Sequence, residues 1–226
     1  MKKLVYLLVA LVLVACGVAG CGSSAKDGGT AKPIKIGATA GPHAQVVEAV
    51  AKEAKKQGLN VQVVEFSDYV TPDKALADGD LDLNSYQHAP FLANFAKQNN
   101  AKLVPIGKTI LMRMGIYSDK IHDIKAIPDK ATVAIPNDPT NGGRGLVLLE
   151  KAGLLKLKPG TGFKATVKDV VENPKHLQFK ELEAAQLPRS LSDVDLAVIT
   201  MNYVMSAKLD VKKQGLFWEK DDESMA

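Results

Sequence analysis

Pro136-Asn137-Asp138-Pro139-Thr140-Asn141-Gly142-Gly143-Arg144-Gly145-Leu146 joins two apolar runs, Ala131 to Ile135 and Leu146 to Ala152, the second ending at Gly153. The first has the length and apolar content of a buried strand; the second repeats its apolar residues at helical spacing and is stopped by glycine. A strand, a Pro/Asn/Gly connection and a helix start form an α/β unit and a common anion cradle. Free backbone N–H groups and the positive end of the helix dipole point at such a connection. Arg144 stands at the start of the helix, and its planar fork suits a carboxylate or a phosphate. The spacing alone leaves both open, beside a plain surface arginine. No Lys-Ser/Thr pair completes a P-loop, which weakens a nucleotide site.

The same alternation runs outward from this stretch. Towards the N-terminus, Ile34 to Gly37 reads as a strand and His43 to Gln57 as a helix, with Val46, Val47, Val50 and Ala54 at helical spacing before Gly58. Val61 to Phe66 alternates as a strand, Asp73 to Ala77 is a short helix, and Leu81 to Asn84 a short strand. Pro90 to Gln98 is a helix and Leu103 to Ile106 a strand. Thr109 to Tyr117 is extended and leads into a second lobe. Beyond the quoted stretch, Val167 to Glu172 reads as a helix ended by Asn173-Pro174, and His176 to Glu181 as a strand. Ala184 to Leu191 is loop or short helix, and Asp195 to Thr200 a strand. Strands alternating with helices predict an α/β fold.

Five polar connections lie where strands run out: Thr39–His43, Ser67–Val70, Ser85–His88, Asn137–Arg144 and Thr200–Asn202. In open α/β sheets ligands bind beyond the carboxyl ends of the strands. Tips converging from two lobes would form a cleft that closes on a small molecule.

The chain has 226 residues, and its first 21 read as an export signal. Lys2 and Lys3 precede an apolar segment, Leu4 to Ala15, that is too short to span a bilayer comfortably. Small residues and a cysteine follow at both Cys16 and Cys21, the pattern of a bacterial lipoprotein signal. Cys21 is the preferred lipidation site, with Cys16 the alternative, because a polar tether, residues 22–33, begins directly after it. These are the only cysteines, so the domain has no disulfide framework or thiol site. Of the 29 Lys and Arg, two lie in the signal, leaving 27 against 25 Asp and Glu. That balance, with no basic run and few aromatics, argues against nucleic acid.

Several motifs together closely resemble the methionine-binding lipoproteins of ABC importers, related to the lipoprotein-28 group. They are Phe66-Ser67-Asp68-Tyr69-Val70-Thr71-Pro72, Gly79-Asp80-Leu81-Asp82-Leu83-Asn84-Ser85-Tyr86-Gln87-His88 and Pro136 to Arg144. Asp169-Val170-Val171-Glu172-Asn173-Pro174-Lys175 and Gln186-Leu187-Pro188-Arg189-Ser190-Leu191 extend the match. The resemblance implies a type II periplasmic-binding-protein fold, two α/β lobes around a ligand cleft, with lobe 1 at 34–110 and lobe 2 at 111–215. Residues 216–226 would begin a return to lobe 1. It implies capture of methionine for an ABC permease and its ATPase, by a protein held on the cell membrane through its lipid and facing the exterior or periplasm. It implies no cofactor.

Residue by residue, the resemblance makes Arg144 the clamp for the ligand α-carboxylate and Asn141 and Asn202 polar partners of the amino-acid head. Tyr69, Tyr86 and His88 become walls around the thioether, with His43 at the rim. The chemistry agrees: a zwitterion leaving water needs its carboxylate paired and its ammonium hydrogen-bonded, and a thioether favours polarizable rings. Asn202 is also open to capping a helix from Tyr203, and Tyr69 and Tyr86 to plain packing. Asp68, Asp80 and Asp82 read as turn and cap residues. The family pattern continues several tens of residues past Ala226, through a late strand, a terminal helix and another ligand-facing Asn. A fragment or a truncated protein is therefore expected.

Alternatives remain within binding, where the ligand is D-methionine or a methionine-containing dipeptide, and outside it, where a surface interaction lipoprotein carries a vestigial cleft. An anchored hydrolase is disfavoured, because no Gly-x-Ser-x-Gly elbow or paired acid motif stands out. No metal site is expected from His43, His88, His122 and His176, which are not patterned as ligands.

Overall fold

Ile34–Thr39 forms β1, the central strand of the first sheet in a computed structural model that describes residues 32–220. The expected signal, the lipidation at Cys21 or Cys16, most of the tether and residues 221–226 lie outside the described residues. β1 pairs in parallel with β2 (Val61–Phe66), from Ile34 opposite Val61 to Thr39 opposite Phe66. On its other side it pairs with β3 (Leu83–Asn84), through Ile36–Leu83 and Gly37–Asn84. Parallel strands need crossover helices. α1 (Pro42–Lys56) and α2 (Thr71–Ala77) supply them, each with proline in its first turn, where the missing N–H costs nothing. Asp68 holds the turn into α2 by accepting the Val70 and Thr71 N–H groups at 2.8 and 2.7 Å. α3 (Ala89–Asn99) follows β3.

α1 buries Ala44 and Val47 against Ile36 and Ala38 of β1, but Val50, expected on the same apolar face, is half-exposed. The strand expected at Leu103 to Ile106 does not form: residues 100–113 hold no helix or strand, and Val104 and Ile106 are exposed. β3 ends the sheet order β2-β1-β3. The apolar run therefore has no ladder partner among the described residues, and a strand without one leaves its backbone unpaired.

The second sheet has five strands. β4 (Met114–Tyr117) is antiparallel to β9 (Leu196–Thr200), and β5 (Thr132–Pro136) lies parallel to β9 and to β8 (Gln178–Leu182). β4 and β9 are buried along their whole length, which accounts for their uninterrupted apolar runs. α4 (Pro139–Lys151) covers this sheet, packing Leu146, Leu148 and Leu149 with Met114, Ile116, Val133, Ile135 and Val198.

Val167 to Glu172 is not the expected helix. One 3-10 turn, Val167–Asp169, runs into β7 (Val170–Glu172), which pairs with β6 (Lys156–Leu157). Thr166 and Asp169 cap that single turn reciprocally, and the β-branched pair Val170-Val171 favours the strand after it. α5 (Leu187–Ser190) follows a 3-10 turn at Ala184–Gln186. α6 (Met201–Ser206) continues directly from β9, and α7 (Val211–Gln214) leads into β10 (Gly215–Trp218). β10 is the antiparallel neighbour of β4 at the edge of the second sheet. The expected return to the first lobe is therefore not reached within the described residues.

Candidate functional site

The connection between β5 and α4 is shorter than its Pro/Asn/Gly content suggests. α4 starts at Pro139, so Asn141 to Gly145 lie inside the helix and not in a loop before it. Asp138 is the N-cap: its carboxylate accepts the Asn141 N–H at 2.9 Å and the Thr140 hydroxyl at 2.8 Å. The anion cradle expected here is thus occupied by the chain's own carboxylate, and Arg144 sits in the second helical turn. The glycines are required by packing. A Cβ on Gly142 would stand 2.8 Å from the Pro136 carbonyl oxygen, and one on Gly143 would stand 2.1 Å from that of Phe163.

Arg144 is 4 % exposed. Its Nε donates to Glu219 Oε1 at 2.8 Å, and its Nη2 to Glu219 Oε2 at 2.6 Å and to the Met112 carbonyl at 2.8 Å. Nη1 has no bond to a described residue. Sequence reasoning missed Glu219; nothing near residue 219 marks it as a partner for a side chain 75 positions earlier.

Tyr69, from the connection after β2, crosses to the second sheet. Its hydroxyl lies 2.7 Å from Thr200 Oγ1 and donates to Asn202 Oδ1 at 2.6 Å. Burial raises the Tyr69 phenol above its usual range, outweighing those two hydrogen bonds and the nearby Arg144 charge. Tyr86 donates its hydroxyl to the Tyr69 carbonyl at 2.8 Å. The Tyr69 ring packs 4.8 Å from Tyr203, 5.9 Å from Tyr86 and 6.1 Å from Phe91 between centroids. Phe91, 6.3 Å from the His88 ring, is a second residue the sequence reading left out, because it was assigned only to a helix.

The two asparagines differ in what they leave free. Asn202 lies inside α6, where it does not cap the helix; its carbonyl is taken by Tyr69, and its buried Nδ2 has no partner among the described residues. Asn141 is reversed: its Nδ2 binds the Asp138 carboxylate at 3.0 and 3.2 Å, so its carbonyl is the end not held. Asn202 therefore offers a donor and Asn141 an acceptor. Of these two expected partners of an amino-acid head, only Asn141 retains a carbonyl for an ammonium.

Arg144, Asn141, Asn202, Tyr69, Tyr86, His88 and His43 all line one cavity of about 740 Å³, with Thr200 and Phe91. His43 is not at an open rim: it is 5 % exposed in the first turn of α1, with Nδ1 unpartnered among the described residues. No group of three or more His, Cys, Asp or Glu among the described residues is placed to hold a metal ion.

Burial lowers His43 to about 4, and burial with the Arg144 charge lowers His88 to about 3, from 6.5. The folded protein keeps both rings neutral where the unfolded chain binds protons. Stability therefore rises with pH up to about 6.5, from about 4 for His43 and about 3 for His88, and is lost as pH falls through those windows. At pH 5.5 each ring should cost about 1.4 kcal/mol relative to neutral pH. Urea midpoints at pH 5.5 and 7.5 measure this. His43→Gln should remove about half of the pH dependence, and an unchanged dependence would contradict the assignment.

A family model described as NlpA lipoprotein matches residues 34–226. The D-methionine-binding lipoprotein MetQ of Escherichia coli (strain K12) is 47 % identical over 219 residues, 96 % of this chain and 79 % of that protein. A nutrient-binding protein from Burkholderia cenocepacia, solved bound to methionine, is 50 % identical with a TM-score of 0.80, covering 83 % of this chain and 79 % of that one. A periplasmic substrate-binding protein of an ABC transporter from Coxiella burnetii is 43 % identical with a TM-score of 0.81, covering 85 % and 82 %. The chain shares their fold, two α/β lobes around a cleft.

Proposed function

The chain belongs to the NlpA lipoprotein family, and on that premise we propose that its cavity captures methionine for an ABC importer. It is a binding protein and not an enzyme. One observation carries the reading. A buried guanidinium whose Nη1 and an asparagine amide whose Nδ2 have no partner among the described residues line the same cavity as a cluster of aromatic rings.

The ligand carboxylate takes donors from Arg144 and Asn202 Nδ2, and its ammonium is accepted by the Asn141 carbonyl. Each charged end leaves water only for a charge-assisted hydrogen bond, which the low-dielectric cleft strengthens. Tyr69, Tyr86 and His88 surround the thioether, where sulfur–ring contacts contribute about 0.3–1.5 kcal/mol each. His43, neutral and buried, closes the pocket behind them. Tyr69 and its bonds to Thr200 and Asn202 join the first lobe to the second at the cavity wall. The loaded protein, held at the membrane by a lipid on Cys21 or Cys16, hands methionine to a permease driven by its ATPase.

A second reading within the same site is D-methionine or a methionine-containing dipeptide. The E. coli relative is named for the D-enantiomer, and 740 Å³ lies within the range of pockets that hold larger ligands. Mass spectrometry of ligand carried through purification separates these.

L-methionine at a hundred times its Kd should stabilise the fold by about 2.7 kcal/mol. In a protein of this size that raises the melting temperature by roughly 5–11 °C. A folded protein whose melting temperature responds to neither enantiomer would refute the reading.

A further inference from the structure

Among the described residues, Arg144 has one carboxylate partner, Glu219, beside the Met112 carbonyl that accepts from its Nη2. Glu219 meets its Nε and Nη2, and Glu219 is itself fixed. The Glu219 N–H donates to the Met114 carbonyl at 3.0 Å, and its Oε2 accepts the Met114 N–H at 2.7 Å. Backbone and side chain together tie this residue to the first position of β4, just past the end of β10. Arg144 lines both the main cavity and a small hollow; of the two, Glu219 lines the hollow, with Arg113, Lys151 and Lys220. The pair is nearly enclosed, with side chains 4 % and 13 % exposed. A carboxylate anchored behind the guanidinium has no need to leave when a ligand enters in front of it.

We propose that Glu219 is a permanent counter-ion and positioning residue for Arg144, which makes the cleft select a zwitterion over a net anion. Two consequences follow from the geometry. Bidentate pairing fixes the plane of the guanidinium, so its remaining nitrogen meets the ligand without reorganising. It also cancels the arginine charge. An uncompensated guanidinium in a buried site would attract any small anion and repel an ammonium beside it. With Glu219 in place the pair is neutral, and so is an amino acid. The specificity for a free amino acid then comes partly from a residue that does not line the ligand cavity.

This rests on the methionine reading, and the test separates the two. The probes are L-methionine and its des-amino analogue methylthiobutanoate, which keeps the carboxylate and thioether and lacks the ammonium. Their affinities are measured by calorimetry or competition on the wild type and on Glu219→Gln. The wild type should favour methionine strongly, and Glu219→Gln should narrow that preference by at least about tenfold. A purely structural Glu219 would weaken both ligands alike, and a ratio unchanged within about twofold overturns the inference alone. A wild type that binds neither probe overturns the methionine reading and this inference with it. Should Glu219→Gln fail to fold, NMR of the arginine Nε–H groups in the wild type decides. A hydrogen-bonded, exchange-protected Arg144 Nε–H should persist at saturating L-methionine. Its loss would mean that the ligand displaces Glu219, and would overturn the proposal.

Discussion

Arg144→Ala should abolish methionine binding and, in the same protein, weaken the fold. Truncating one partner of a buried, hydrogen-bonded charge pair costs about 2–5 kcal/mol of binding, roughly thirtyfold to several thousandfold in Kd. The stability loss has a separate cause. Without the guanidinium, Glu219 keeps the Met114 N–H as its one side-chain partner among the described residues and remains largely enclosed. Removing one member of a buried ion pair costs about 3–5 kcal/mol, because the other is left uncompensated. Calorimetric titration below the melting temperature, on material shown by circular dichroism to be folded, separates the two effects. Adding Glu219→Gln to Arg144→Ala should restore part of the stability and none of the binding. A single variant that binds methionine within about tenfold of the wild type would refute the clamp.

That experiment concerns a partnership invisible in the sequence, although the arginine itself was legible. Buried strands such as Leu196–Thr200 announce themselves, because burial on both faces demands an unbroken apolar run. The polar connections at the strand ends are legible from the alternation alone, because ligand groups in open α/β sheets sit where strands end; the choice of seven residues within them comes from the family resemblance, and all seven line one cavity. What escaped depended on distant partners. Glu219 looks like one acid in a charged tail until β10 places it beside β4. Leu103 to Ile106 has the composition of a strand and lacks a neighbour to pair with. The two asparagines were assigned one role from residue type, and only Asp138 and Tyr69 decide which end of each amide is free. Asn141-Gly142-Gly143 has the local propensity of a loop, and tertiary packing overrides it.

The same override reverses the usual sign of a glycine substitution at Gly143. Inside a helix, glycine to alanine normally stabilises by about 1 kcal/mol. Gly143→Ala should do the reverse. Its Cβ would stand 2.1 Å from the Phe163 carbonyl oxygen, 2.7 Å from the Phe163 carbonyl carbon and 3.0 Å from the Ala165 carbonyl oxygen. All three are backbone atoms around a 3-10 turn at Gly162–Lys164, so no side chain can rotate aside. Either α4 or that turn must move by about an ångström. α4 is hemmed in on another face, where a Cβ on Gly145 would already meet Val198 at 3.3 Å. Overpacking of this kind costs about 1–3 kcal/mol, a fall of roughly 2–12 °C in melting temperature for a chain of this size. Arg144 is the next residue, and a shifted helix would pull it from both Glu219 and the ligand carboxylate. Methionine affinity should therefore fall together with stability. A Gly143→Ala protein that melts at or above the wild-type temperature would show that the helix and the turn are not in the contact described, and that the glycine serves something other than close approach.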